Sequence, residues 1–527
     1  MRKTFAGALL LAAAAAPAHA AFDAPAAFGA RQGIEDIALS PDGKQIAFVA
    51  PGTGQSSALF VVPADKSSAP RRITGASGNP ERLLGCWWVS NARLLCSIYV
   101  IQRAAGYVVG ATRMVAVDAA GGNIRLVSRR DNTDAFYYST YGGSLVDLLP
   151  GQDGSVLVSR SYVPRESVGS LITHEEQGLG VDRVDTLTLA TKPVVPPTRL
   201  AYFYISDGVG NVRIMAQATE NGDYLGARDK FYYRPASGGG WQVLGTYDEQ
   251  THEGFWPQAV DPVENVAYGF QRLDGRDALY KIALNGSMTR ALVLARPDVD
   301  VDGLIKIGRK QRAVGMSYAT DRRHTVYFDP AIAKIAAALG KALPQTSSIS
   351  IVDASIDENI LLIRADSDTD PGRYFLFDRT AKRLEALILS RPELAQTPLA
   401  TVKSVTVRAA DGTMIPAYLT LPPGSSGKGL PAIVMPHGGP SARDEWGFDW
   451  LSQFYANRGY AVLQPNFRGS SGYGDSWFQD KGFKSWRVAI GDIVDSGKWL
   501  VSQGIADPSK LAIIGWSYGG YAALQSN

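Results

Sequence analysis

The chain has 527 residues, 45% hydrophobic and 20% charged. That balance supplies ample core for more than one domain and excludes a disordered chain. Lys and Arg total 53 against 50 Asp and Glu, a net charge of +3, and near neutrality argues against a nucleic-acid binder, which carries a basic excess. Glycine (55) and proline (29) are plentiful without a collagen-like period, so many tight turns and much β-structure are expected.

The start of the chain reads as an address. Arg2 and Lys3 form a positive region, Phe5 to Ala16 an apolar run, and Ala18-His19-Ala20 a cleavage site. This predicts a secretory signal peptide over residues 1–20. A membrane anchor is the poorer reading, because the run is too short to cross a bilayer. No later stretch reaches 18 uninterrupted apolar residues, so no membrane span is expected after signal cleavage, and the mature protein is expected in the periplasm or secreted. Export bears on Cys86 and Cys96, which are symmetric about Asn91. A hairpin turning there sets them opposite each other, either as a disulfide in an oxidising compartment or as two small buried thiols. Two cysteines alone cannot build a zinc site.

Residues 21–395 repeat. An apolar β-type run, a short polar turn and a second β-type run recur, most clearly in Ile37 to Phe48 around Pro41-Asp42-Gly43. Similar turns fall near Asn91, Asp153, Gly210, Glu264, Lys310 and Glu358, at spacings of 46–62 residues. Seven units of four short strands predict a β-propeller, since one such sheet cannot bury both faces and must stack around an axis. One or two β-sandwiches, or an eighth blade, are the alternatives.

Residues 396–527 differ in texture. A hairpin around Ala410-Asp411-Gly412 is followed by alternating strands and helices: strand Ala432–Met435, helix Phe448–Arg458, strand Tyr460–Leu463, helix Val488–Gln503 and strand Leu511–Ile514. This order predicts a parallel sheet covered on both faces. The last strand runs into Gly515-Trp516-Ser517-Tyr518-Gly519, a G-x-S-x-G match. Composition alone gives about 0.4 such matches in a chain this long, but a strand before it and an Ala/Leu helix start after it are the setting of a nucleophile elbow. Flanking glycines allow the sharp turn, and Ser517 is the candidate nucleophile; a plain strand-to-helix turn is the alternative. Upstream, Pro436-His437-Gly438-Gly439-Pro440 ends an earlier strand. Adjacent glycines there can turn backbone N–H groups toward an oxyanion, with the N–H of Tyr518 as the second donor. His437 suits orienting this loop better than acting as a base.

Together with Gln464-Pro465-Asn466-Phe467-Arg468-Gly469-Ser470-Ser471-Gly472-Tyr473-Gly474 and the continuation Gly520-Tyr521, these motifs resemble the prolyl oligopeptidase family of serine peptidases, in its acylaminoacyl-peptidase and dipeptidyl-peptidase-like branch. The resemblance implies a propeller capping an α/β-hydrolase domain, with Ser517 as nucleophile, Gly439 and Tyr518 as backbone oxyanion donors, and the Tyr518 ring as a pocket wall. Dipeptidyl-peptidase relatives hold a substrate amino terminus on a Glu pair. Glu175-Glu176 is the only adjacent Glu pair here, and its setting fits a solvated loop better.

Hydrolases of this fold order their triad as Ser, Asp or Glu, then His. Ten residues follow Ser517, with neither an acid nor a histidine among them, and His19, His174, His252, His324 and His437 all precede it. Asp492 and Asp495 are in the wrong order for a triad acid. The expectation is an α/β-hydrolase domain cut short after the elbow, with an apolar edge at Leu511–Ile514 and weak nucleophilicity at Ser517. Asp298 to Gly303 opens like a calcium loop, but Arg309 stands where the twelfth-position Glu is needed. No metal or nucleotide cofactor is expected. The function read from the sequence is a serine peptidase acting on short peptides. An esterase of the same fold and a non-catalytic propeller binding module remain alternatives.

Overall fold

The computed structural model describes residues 22–526 apart from 105, 130–138, 152, 165–175, 223, 345–347 and 479–483. The expected leader and Glu175 lie outside the described residues, while Glu176 is exposed.

Residues 36–389 form seven antiparallel sheets, each built from strands consecutive in sequence. They are the seven blades of a propeller: blade 1 (36–76), blade 2 (81–126), blade 3 (144–198), blade 4 (201–248), blade 5 (255–294), blade 6 (301–327) and blade 7 (348–389). Each of the seven turns read from the sequence joins the first and second strands of one blade. The four-strand expectation fails in blade 6, which has three strands. The Asp329 carboxylate accepts the Ala331 and Ile332 amides, Pro330 opens the first turn, and an Ala-rich run forms a helix, Pro330–Ala342, in the place of a fourth strand. Its Ile332 and Leu339 fill the space between blades 6 and 7.

An apolar cluster sits at every junction between neighbouring blades. This is why no blade is stable without its neighbours. Between blades 1 and 2 the cluster includes Cys86 and Cys96, paired directly across a hairpin turning at Asn91 and joined as a disulfide with Cα atoms 4.1 Å apart. Carboxylates reinforce three junctions by accepting a neighbour's backbone amide: Asp36 from Cys86 (2.7 Å), Asp147 from Gly210 (3.0 Å) and Asp353 from Leu39 (2.9 Å). The last bond closes the ring from blade 7 to blade 1, together with the Ile356 amide on the Pro41 carbonyl and the packing of Ile37, Leu39 and Phe48 on Leu362 and Leu376.

The second domain is a five-stranded sheet in the order Val402–Arg408, Met414–Thr420, Ala461–Pro465, Leu430–Val434, Ala506–Ile513. The last three strands are parallel, whereas the first two are antiparallel to their neighbours. The three alternating strands are parallel as expected, and the hairpin before them returns antiparallel, as a tight turn requires. Among the described residues, the strand leading to Ser517 pairs only with Leu430–Val434, and Leu511 on it is exposed.

Blades 5, 6 and 7 hold the hydrolase domain. Arg272 pairs with Asp475 (2.7 Å) and Asp300 (3.2 Å), and the Asp475 amide donates to the Gly275 carbonyl. Arg323 bridges Asp302 and Glu445, Arg443 donates to the Ala319 and Thr320 carbonyls, and Gln453 donates to the Asp368 carbonyl. The short N-terminal helix Ala24–Gly29 adds Phe28, edge-on to Phe454.

Burial raises the Asp353 carboxyl to about 6. Its unfolded value is near 3.9, so the folded ring tolerates the neutral form, and stability is lost as pH climbs from about 4 through 6. Urea titrations should show the wild type losing about 1–3 kcal/mol relative to Asp353→Asn across that window; parallel pH profiles would contradict this.

Candidate active site

Three loops meet where the parallel strands end. The register pairs Val434 with Ile513 and with Leu463, and the Ile514 and Met435 amides extend the pairing by one residue. The loops that follow therefore leave the sheet level with one another, at the carboxyl edge where open α/β sheets bind ligands.

The loop after Ala506–Ile513 turns sharply into the helix Tyr518–Gln525, with Ser517 at φ 53° and ψ −124°. That left-handed backbone is strained for a residue with a Cβ. The turn is tight enough that a Cβ on Gly515 would lie 2.5 Å from the Gly519 carbonyl carbon, and one on Gly519 would lie 2.2 Å from the Pro436 oxygen. Only glycine fits at either position. The close pass of Gly519 on Pro436 locks the elbow against the loop after Leu430–Val434. It also sets Gly438 beside Ser517, whose Cβ is 3.4 Å from where a Gly438 Cβ would stand. Gly439 follows with φ +118°. The Ser517 side chain is exposed.

Side chains from all three loops stack. The His437 ring lies on Phe467 (4.5 Å, 17°), and Phe467 lies on Tyr518 (5.7 Å, 20°). His437 is buried, which holds its imidazole down to about 4 and neutral. A carbonyl can only accept, so Nδ1 carries the proton and donates to the Gly438 oxygen (2.8 Å), while Nε2 meets the Ser470 hydroxyl (2.8 Å). With both nitrogens engaged, His437 fixes the glycine loop. Burial also raises the Tyr518 phenol.

The sequence motif around Phe467 contained a residue whose role was not read from it. Arg468 is buried with its guanidinium on both oxygens of Asp492, on Asp411 and on Thr413. Asp492 also accepts the Arg468 amide (3.0 Å), so this acid anchors the middle loop from the helix Trp486–Ser502. Asp495 accepts the Ala410 amide (2.7 Å). The signal available was a pair of ionisable residues, Arg468 and Asp492, each inside an otherwise apolar segment. Among the described residues, no histidine or carboxylate hydrogen-bonds the Ser517 hydroxyl, and neither the Gly439 nor the Tyr518 amide donates to a protein acceptor. The carboxylates of the calcium-loop-like stretch are engaged elsewhere: Asp298 with Arg296, Asp300 with Arg272, Asp302 with Arg323.

A propeller joined to an α/β-hydrolase sheet, with a serine at a strained strand-to-helix elbow beside a glycine loop, defines the class of this molecule. Residues 446–526 match the prolyl oligopeptidase family model. Dipeptidyl aminopeptidase BIII of Pseudoxanthomonas mexicana is 33% identical over 56% of this chain and 45% of its own length. Dipeptidyl peptidase family member 6 of Caenorhabditis elegans is 38% identical over 34% and 27%. The chain thus spans about half the length, or less, of these curated relatives. A puromycin-hydrolysing peptidase of Mycobacterium tuberculosis superposes with a TM-score of 0.64 at 16% identity, covering 96% of this chain and 77% of that one. Residues 446–526 are thus similar to the prolyl oligopeptidase family, and the two-domain fold is shared with solved peptidases.

Two substitutions test the geometry. Arg468→Met leaves the Asp492 charge buried without its partner and should cost about 3–5 kcal/mol in urea unfolding. Ser517→Gly relieves the backbone and should raise stability by roughly 1–2 kcal/mol; a loss of stability there would show that the elbow is unstrained.

Proposed function

We propose that the protein is an exported serine peptidase that cleaves short peptides by acyl transfer through Ser517. The observation that carries this is the exposed Ser517 hydroxyl at a left-handed elbow, locked beside the Gly438–Gly439 loop by the approach of Gly519 to Pro436. In this reading the hydroxyl oxygen attacks the scissile carbonyl carbon, the carbonyl oxygen takes the negative charge, and the Gly439 and Tyr518 N–H groups receive it. The amine leaves with a proton, and water then hydrolyses the Ser517 ester. Peptides are favoured over simple esters by the names of the two curated relatives, both dipeptidyl enzymes, and by a propeller over the site that restricts access to small substrates. The amino-terminal pattern of Arg2, Lys3 and Ala18-His19-Ala20 supports a periplasmic or secreted location.

The 527 residues carry no acid and histidine in order after Ser517, and an unassisted serine hydroxyl is a poor nucleophile at neutral pH. Low activity is therefore expected of the chain as it stands. A fluorophosphonate probe used at high concentration, with peptide mapping by mass spectrometry, checks both points. Slow modification confined to Ser517 and abolished in Ser517→Ala is expected. Modification at other residues with Ser517 left untouched would refute the assignment. Comparing peptide anilides with nitrophenyl esters then separates a peptidase from an esterase.

A further inference from the structure

Arg309 lies in the turn between the first two strands of blade 6, yet its guanidinium is bonded to blades 2 and 3. It donates to the Trp88 and Val89 carbonyls (both 2.6 Å), to the Leu149 carbonyl (3.0 Å) and to the Leu148 carbonyl. In a ring of seven, blades 2 and 3 stand directly opposite blade 6, so this side chain crosses the propeller axis. The same turn touches blade 4, where a Cβ on Gly208 would lie 1.9 Å from the Lys310 oxygen, and comes close to blade 7, where a Cβ on Gly308 would lie 3.6 Å from the Ala354 Cβ. Five of the seven blades thus meet at one turn. Two cavities of about 300 and 240 Å³ adjoin the axis here, and Arg309, Gln311, Trp87 and Leu148 line both.

This mouth faces away from the hydrolase domain. The contacts that hold that domain are made by the opposite ends of the blades, at Gly275, Thr320 and Arg323, between second and third strands. The turns between first and second strands, Arg309 among them, lie at the far end.

We infer that Arg309 is an axial plug, a positioning residue that closes the far mouth of the propeller, so that peptides reach Ser517 only through the seam between the domains. Five N–H donors in a rigid fork suit the task, because four carbonyls from two blades can be held at once. Asp147 and Asp353 lie near enough to favour its charge, although burial pulls the guanidinium down to about 10. The consequence for substrates rests on the peptidase reading; the plug itself does not.

The test therefore reads access rather than turnover. Cys86 and Cys96 are joined in a disulfide, so one introduced cysteine gives a single thiol. Leu84 is exposed, on the first strand of blade 2 and on the hydrolase side of the Arg309 anchor at Trp88. In the full chain carrying Leu84→Cys, adding Arg309→Ala should raise the rate of labelling by a polyethylene-glycol maleimide about tenfold, while a small methanethiosulfonate reagent changes by less than about threefold, a size-dependence that general loosening of the fold does not give. Arg309→Met, which keeps the bulk of the chain but removes all four bonds, serves if the alanine variant does not fold. An unchanged rate for the bulky reagent, or equal acceleration of both reagents, overturns the plug. Fluorophosphonate labelling of Ser517 is read separately, so failure of the peptidase assignment leaves this result standing.

Discussion

One contact holds the site together: the passage of Gly519 across the Pro436 carbonyl. It brings the elbow that carries Ser517 against the loop that carries Gly438 and Gly439, closer than any side chain would permit. The contact exists because two parallel strands, Leu430–Val434 and Ala506–Ile513, are neighbours in the sheet and end in register. In sequence their ends are about eighty residues apart. The left-handed backbone of Ser517 persists because glycines on both sides and the stack of His437, Phe467 and Tyr518 leave it no other path.

Ionisable side chains inside this molecule serve mainly as ties. Arg468 and Asp492 fix the middle loop of the site, Arg272 and Arg323 fix one domain to the other, and Asp36, Asp147 and Asp353 fix blade to blade. Removing one partner from such a tie costs far more than the tie contributes, because the charge left behind remains buried. Arg309 extends the pattern across the propeller axis. The stretch from Asp298 to Arg309, whose opening resembles a calcium loop, is put to use in the same way: its carboxylates bind arginines, and the residue that breaks the motif spans the ring.

Much of the fold was legible before any coordinates. The seven turns from Asp42 to Glu358 each fall between the first two strands of a blade, because Gly, Asn and Asp in short polar breaks mark hairpins by local backbone preference. Blade 6 was misread for a reason equally local. Asp329-Pro330 followed by alanines is a helix start set inside a repeat of strand pairs, and the local capping signal prevails. The antiparallel hairpin at the edge of the hydrolase sheet was legible in the same way as the blade turns, from the turn Ala410-Asp411-Gly412. The disulfide stood open between two readings, and the direct pairing of Cys86 with Cys96 decided it.

The sequence by itself determined the recurring blade turns, the strand-to-helix elbow at Ser517 and the glycine loop at Gly438–Gly439, since each depends on residues adjacent in the chain whose backbone preferences act over a few bonds; the count of seven blades came from the sheets themselves. Only the tertiary structure decided that Arg468 is clamped by Asp492, that His437 is neutral and locked on Ser470, and that Arg309 reaches the far side of the ring. Those outcomes depend on burial and on partners 24, 33 and more than 200 residues distant, separations at which chain order carries no signal and only the packed geometry fixes which charges and donors meet.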